Sequence, residues 1–379
     1  MKIVKSFRLR VGKFLFACLA LAGLAACQTD SALDVSAVAP SQGVEVHGGG
    51  ATVVALLAAR SAPGARGATA QARVDGALLA LDVLGGSALT LRIYDTGTTA
   101  SGAATASAAA RNDGAVLMAG TGSIEQAAAA GTMETPLIAF VNGAIGAGDT
   151  YSFLSDTVDS LLEGVRLTAS AAQSQFVLIH AGGARAADLV RLQNGIAVRG
   201  GTLVGSISVP DRAAAIERKL IEEKAVIDAA TVALIFGDPT GASAVLDVLA
   251  SGAVGENLTA VIGQPDWPES LLGRPSSQGV LIARAPEPQL DMIGERFRAR
   301  FGRAPTEAAA QGFDVVAVAA GLARSGATIN RQSLTAEQGF KALTGLFRFR
   351  PDRSVERRHV LYRVRGGQLE VVQEAGAGF

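Results

Sequence analysis

The sequence predicts an α/β protein of two doubly wound, parallel-sheet lobes, and three observations lead there. Short apolar runs alternate with helical stretches from Thr52 to Val141, the alternation restarts at Phe176, and helices and short strands return after Gly279. Such alternation marks parallel strands buried on both faces and wrapped by helices. In the first lobe Thr52–Ala58, Leu89–Tyr94, Ala115–Ala119 and Leu137–Val141 read as strands, with helices over Gly67–Leu84, Ala100–Arg111 and Ile124–Ala130. In the second, Phe176–His180, Leu203–Val209, Val232–Phe236 and Leu258–Ile262 read as strands, with helices over Ala184–Val198, Arg212–Lys224 and Ser243–Leu249. The remainder reads as strand Gly279–Arg284, helices Leu290–Phe301, Thr306–Arg324 and Leu334–Leu343, and strands Leu346–Phe349, His359–Val364 and Leu369–Val372. The last two strands flank a Gly366-Gly367 turn, a hairpin signal. This late return implies that the chain passes between the lobes several times. Ligands of open parallel sheets sit beyond the carboxyl ends of the strands, which points to the loops Ala119–Ser123 and Phe236–Asp238.

The amino terminus carries a separate signal. Residues 1–13 hold Lys2, Lys5, Arg8, Arg10 and Lys13 without an acid, and the apolar run Phe14–Ala26 leads to Cys27. A basic head, a short apolar stretch and small residues before the cut form a secretory signal, and the run falls short of the roughly 20 residues a membrane-spanning helix requires. Leu24-Ala25-Ala26-Cys27 resembles the lipobox of bacterial lipoproteins, in which the cysteine takes a diacylglycerol and becomes the new terminus. Gln28 follows Cys27, which in the Gram-negative members implies sorting to the outer membrane. Residues 1–26 are expected to be removed. Residues 27–50, small, polar and closed by Gly48-Gly49-Gly50, are expected to form a lipidated flexible tether with a reach on the order of 25 Å, with folding from Ala51.

Composition narrows the function. The chain balances 34 bases against 34 acids, but the expected signal holds five bases and no acid, leaving the mature part at net −5. That balance argues against nucleic acid as a partner. Cys18 lies in the signal and Cys27 is the lipid site, so the mature chain has no thiol pair. The sequence has no Gly-Lys-Ser/Thr phosphate loop, metal-ligand spacing, Gly-x-Ser-x-Gly elbow or free cysteine nucleophile, which argues against an enzyme; no metal or cofactor is expected. His47 lies in the tether, His180 at a strand end and His359 in the tail, so no catalytic pair suggests itself. Trp267, the only tryptophan, reads as a packing residue.

An ordered set of motifs carries a resemblance. It comprises Ala55-Leu56-Leu57 with Ser61–Ala65 and Gly67, Gly76–Ala80 with Gly85-Gly86, Tyr94-Asp95-Thr96, Gly114 through Gly120, and Phe297–Pro305 followed by Gln311–Val316. From about residue 51 to 372 the chain resembles the type I periplasmic binding proteins, specifically the branched-chain amino-acid (leucine/isoleucine/valine) receptors. The resemblance implies a three-crossing hinge between an N-terminal lobe of residues 51–148 and 276–330 and a C-terminal lobe of residues 149–275 and 331–379. It also implies a small ligand in the cleft that favours the closed state by touching both lobes.

The same resemblance, by position, has Thr121, Gly122 and Ser123 meeting a ligand carboxylate and Asn142 continuing that wall, while Asp159, Asp238 and Asp266 face an ammonium group. The residues themselves leave other roles open. Ser123 reads equally as the cap of a helix beginning at Ile124, Asp238 as a cap before Pro239, and Asp266 as a turn residue. Asp159-Ser160-Leu161-Leu162-Glu163-Gly164 is one residue longer than the family's acid-containing motif, so either Asp159 or Ser160 takes the ammonium position. Where the family has an aromatic residue after the first strand of the second lobe, this chain has His180-Ala181-Gly182-Gly183.

Two functions follow. One is the solute-binding component of an ATP-driven importer, with an inner-membrane permease as partner and an amino acid or similar small polar molecule as ligand. The other is an outer-membrane lipoprotein that activates penicillin-binding proteins, with a cell-wall synthase as partner.

Overall fold

The computed structural model describes residues 43–143 and 145–379, which form two large sheets and a small third one. The expected signal and Cys27 lie outside the described residues. Among the described residues no helix is long and apolar enough to cross a membrane.

The first lobe contains β1 (Glu45–Gly48), β2 (Thr52–Ala58), α1 (Gly64–Ala80, continued by a π-helical turn over Leu81–Gly85), β3 (Leu89–Asp95), α2 (Ala100–Asn112), β4 (Leu117–Gly120), α3 (Ile124–Ala130), β5 (Leu137–Asn142) and β6 (Thr150–Leu154). Its sheet order is β1-β3-β2-β4-β5-β6, parallel except for β1. Because strand side chains alternate, Val54 and Leu56 enter one core and Ala55 and Leu57 the other. Burial on both faces explains why TVVALLA is apolar throughout.

The second lobe contains α4 (Thr157–Thr168), β7 (Gln175–His180), α5 (Ala186–Val198), β8 (Thr202–Ser208), α6 (Ala213–Glu222), α7 (Lys224–Asp228), β9 (Val232–Phe236), α8 (Pro239–Ala250), β10 (Ala260–Gly263), α9 (Glu269–Leu272) and β11 (Leu281–Arg284). The chain then returns to the first lobe as α10 (Asp291–Phe301), α11 (Glu307–Arg324), α12 (Arg331–Leu334) and the antiparallel sheet β12 (Phe340–Ala342), β13 (Gly345–Phe349) and β14 (Val355–Arg357). It ends in β15 (Val360–Arg365) and β16 (Gln368–Gln373), which complete the second sheet in the order β16-β15-β11-β10-β9-β7-β8. The chain therefore crosses between lobes three times, at Ser155, at residues 285–290 and at Arg358-His359.

Four expectations differ from the structure. Glu45–Gly48, assigned to the tether, is a strand paired antiparallel with β3. The triple glycine is a tight return, not a leash: Gly48 has φ +78°, and Gly50 lies so close to Ala88 and Leu89 that a side chain would collide with them. Residues 149–154 and 331–357 belong with the first lobe, and 281–284 with the second sheet, so the lobe boundaries fall elsewhere than expected. Aromatic packing explains the small sheet's place: Phe153 meets Phe347 at 5.1 Å and Tyr151 meets Phe349 at 5.2 Å between ring centroids. Finally, the helix expected over Leu334–Leu343 is absent: α12 ends at Leu334, and a turn through Gly339 (φ +64°) leads into β12.

Helices α1 and α11 cross through glycines. A methyl group at Gly76 would run into the carbonyl of Ala309, and one at Gly312 into the backbone of Arg73. Gly321 in the same α11 faces open space. Gly76→Ala should therefore destabilise the protein by more than about 2 kcal/mol through overpacking. Gly321→Ala should be neutral or stabilise it by up to about 1 kcal/mol through helix propensity. Urea unfolding of both variants measures the contrast, and equal effects would disprove the close crossing.

Candidate ligand-binding cleft

Strand direction locates the cleft. β6 ends at the first crossing, β11 ends at the second, and β15 leaves the third, so both parallel sheets aim their carboxyl ends at the hinge. In each sheet the order reverses beside the first parallel strand, at β2/β4 and at β7/β9. Ligand crevices of open α/β sheets form at such points.

A cavity of about 270 Å³ occupies the first of these positions. Its walls include Leu57 and Ala58 of β2, Arg66, Thr69 and Arg73 of α1, Thr121 and Gly122 after β4, and Phe140 of β5. Arg73 donates from Nε and Nη2 to Gln311 Oε1 at 3.1 and 3.0 Å, and its guanidinium lies 4.4 Å over the Phe140 ring. Gln311 is oriented by donating from Nε2 to Glu307 at 3.2 Å. Burial lowers the pKa of Arg73 to about 10, partly opposed by Glu307, so it stays cationic at neutral pH. Among the described residues no carboxylate lies within ion-pair distance of it. Arg66 donates to Gln126 Oε1 at 2.8 Å, and Gln126 is fixed by donating to the carbonyls of Gly97 and Thr99 at 3.1 and 3.2 Å. Each guanidinium is thus held by a neutral amide whose own orientation is set by a further bond.

Thr121 is 3% exposed, and its Oγ1 has no hydrogen-bond partner among the described residues. Its φ of +61° is unusual for a β-branched residue, costing about 1–3 kcal/mol. The conformation is imposed on both sides: Gly120 is pressed against the Leu57 backbone, and Thr121 N–H donates to Leu57 O at 2.9 Å.

Ser123, Asn142, Asp159, Asp238 and Asp266 do not line this cavity. Ser123 caps α3, accepting from Gln126 N at 3.3 Å, and Asn142 is exposed at the end of β5. Asp238 caps α8, accepting from Gly241 N at 2.9 Å. With Asp211 it flanks Gly182, in the loop after β7. Asp266 is exposed and accepts from Gln264 Nε2 at 3.2 Å, while Gln264 accepts from Gly237 N at 2.5 Å. Asp159 forms a capping box with Asp156 at the start of α4 and accepts from Arg191 at 2.8 Å. Burial, with Asp156 beside it, pushes the Asp159 carboxyl up. Ser160 is buried against His359. Neither Asp159 nor Ser160 lines the cavity. Trp267 packs on Gly263 inside the second core.

Arg66, Arg73 and Phe140 were not among the expected site residues. A signal for the arginines existed: residues 66, 70, 73, 77 and 80 fall on one helical stripe, and arginine twice interrupts its alanines.

The hinge beside the cleft is polar and buried. Arg357 donates to Phe153 O at 3.1 Å and to Thr344 O at 2.7 Å. Arg358 meets Glu163 at 3.4 Å and Glu356 at 3.3 Å. His359 is 1% exposed; its Nδ1 donates to Arg357 O at 2.8 Å, and its Nε2 accepts from Ser160 at 3.3 Å, the assignment a neutral ring requires.

No protein-family profile and no curated protein sequence matches the chain. Solved structures do match in fold. One, described as a branched-chain amino acid ABC transporter from Rhodospirillum rubrum, aligns with TM-score 0.63 at 20% identity over 85% of this chain and 99% of that one. A branched-chain amino acid ABC transporter periplasmic ligand-binding protein from Burkholderia xenovorans aligns with TM-score 0.54 at 17% identity over 86% and 95%. An ABC transporter substrate-binding protein from Desulfitobacterium hafniense, in complex with Leu, aligns with TM-score 0.50 at 17% identity over 85% and 99%. The fold is that of the type I periplasmic binding proteins.

Burial lowers the pKa of His359 to about 4 from 6.5. The unfolded chain therefore binds the proton more readily, and this contribution to stability is present above pH 6.5 and lost as pH falls towards 4. The shift corresponds to about 3 kcal/mol. Urea unfolding at pH 7 and pH 4 should show His359→Gln losing less stability than the wild type by about that amount; equal losses would exclude a buried neutral ring.

Proposed function

We propose that the protein is the solute-binding component of an ATP-driven importer, exported, lipidated at Cys27 and holding an amino acid or a derivative of one between its lobes. The observation that carries this reading is the first-lobe cavity, which lies at the carboxyl ends of β2 and β4, the ends this sheet turns towards the hinge. On this reading Thr121 and Gly122 contact the ligand carboxylate, Ser123 and Asn142 border it, and Asp238 and Asp266 form part of the opposite wall. Asp159, already bound to Arg191, serves the first crossing. The protein acts by binding and release, without catalysis, and passes its ligand to a membrane permease.

Thermal melting of the purified protein against amino acids and their derivatives tests the reading. A ligand at 100 times its Kd stabilises the folded state by about 2.7 kcal/mol, so a true solute should raise the melting temperature by several degrees. If no compound shifts it and the protein instead captures a penicillin-binding protein, the cell-wall activator is the correct assignment.

A further inference from the structure

We infer that the ligand is a net-anionic carboxylic acid with an apolar body, fixed by Arg73, and that an α-ammonium group is not required. This deepens the solute-binding reading and rests on it. Arg66 and Arg73 both line the cavity and donate to the neutral amides of Gln126 and Gln311, while no aspartate or glutamate lines it. A half-buried charge in a cavity wall favours a compensating one, and the nearby Glu307 is hydrogen-bonded to Gln311 and not to Arg73. Thr121 adds an unpartnered hydroxyl, 3% exposed, in the same wall.

None of the acids expected to receive an ammonium group lines the cavity. Asp159 accepts from Arg191 and the backbone, Asp238 from the first turn of α8, and Asp266 from Gln264. The remaining lining, Leu56, Leu57 and Phe140, suits a hydrocarbon chain or ring. A planar guanidinium fork with an open Nη1, beside a hydroxyl donor and above an aromatic ring, matches a carboxylate. A zwitterion would bring an ammonium group towards two guanidinium cations.

Calorimetric titration of the purified protein with matched sets tests this. Each set contains an α-amino acid, the same acid without its amino group, and the neutral amide of that acid, with aliphatic, aromatic and acidic side chains represented. The desamino acid should bind at least as tightly as the amino acid in one set or more, and its amide about tenfold to 100-fold more weakly, as expected for loss of a charge-assisted bidentate contact. Arg73→Gln should weaken the acid by a similar factor, and Arg73→Lys by less. The amide arm reads the same contact in unaltered protein, so it holds if a variant fails to fold. Binding of α-amino acids alone, unaffected by Arg73→Gln, overturns the inference while leaving solute binding intact. No binding by any member overturns both.

Discussion

The first lobe depends on the crossing of α1 and α11. Their backbones approach closely only because Gly76 faces Ala309 and Gly312 faces Arg73. The two helices are separated in sequence by the rest of the first sheet and most of the second lobe, and α11 arrives through the second crossing. That return has a chemical consequence. Gln311 precedes Gly312, so the contact that seats Arg73's backbone also brings up the amide that holds its side chain. A half-buried arginine in a cavity wall is costly unless its orientation is fixed from behind, and the discontinuous lobe supplies that support.

Electrostatics divides the two walls. On the second-lobe side Asp238 caps a helix, and Asp156, Asp159 and Asp188 are paired with arginines. The two arginines that line the cavity, Arg66 and Arg73, are instead hydrogen-bonded to amides. Thr121 adds stored strain at the same place, with a backbone conformation unfavourable for its side chain and a hydroxyl without a partner. Backbone strain and an unmet hydroxyl coincide at Thr121 in the cavity wall, a pattern that fits a site completed by a ligand.

The fold was largely legible because a parallel sheet imposes a coarse, repeated pattern. Runs such as TVVALLA and VALIF, buried on both faces, announce themselves without knowledge of their neighbours. The unread elements have mixed composition. β1 is EVHG and half exposed at an edge, β6 alternates polar and apolar residues within TYSFL, and β12 is three residues long. Thr121 and Gly122 were legible because strand-end loops are where parallel sheets bind. Arg73 was not singled out because it sits mid-helix, and only the distant Gln311 reveals that it is half-buried and oriented. His359 read as a tail residue for a similar reason: its burial depends on Ser160 and Glu163.

The hinge sets what a ligand must do. On the first-lobe side, Arg357 ties the third crossing to Phe153, beside the first crossing, and to Thr344, which Asp314 also holds. On the second-lobe side, Ser160 and Glu163 of α4 hold His359 and Arg358. With both sides pinned, rotation between the lobes falls on Ser155, on the Pro286–Pro288 segment and on Arg358-His359, whose backbone N–H groups bond to Leu346 of the first lobe and Glu163 of the second. A few residues at element ends then absorb the change while both cores move as rigid bodies. Rigid lobes make closure a question of differential contact: a ligand touching only the arginine wall would bind open and closed forms equally and shift nothing. On the solute-binding reading proposed above, a ligand that drives closure also meets the loops at Gly182 and Asp238, and the second wall decides whether binding becomes closure.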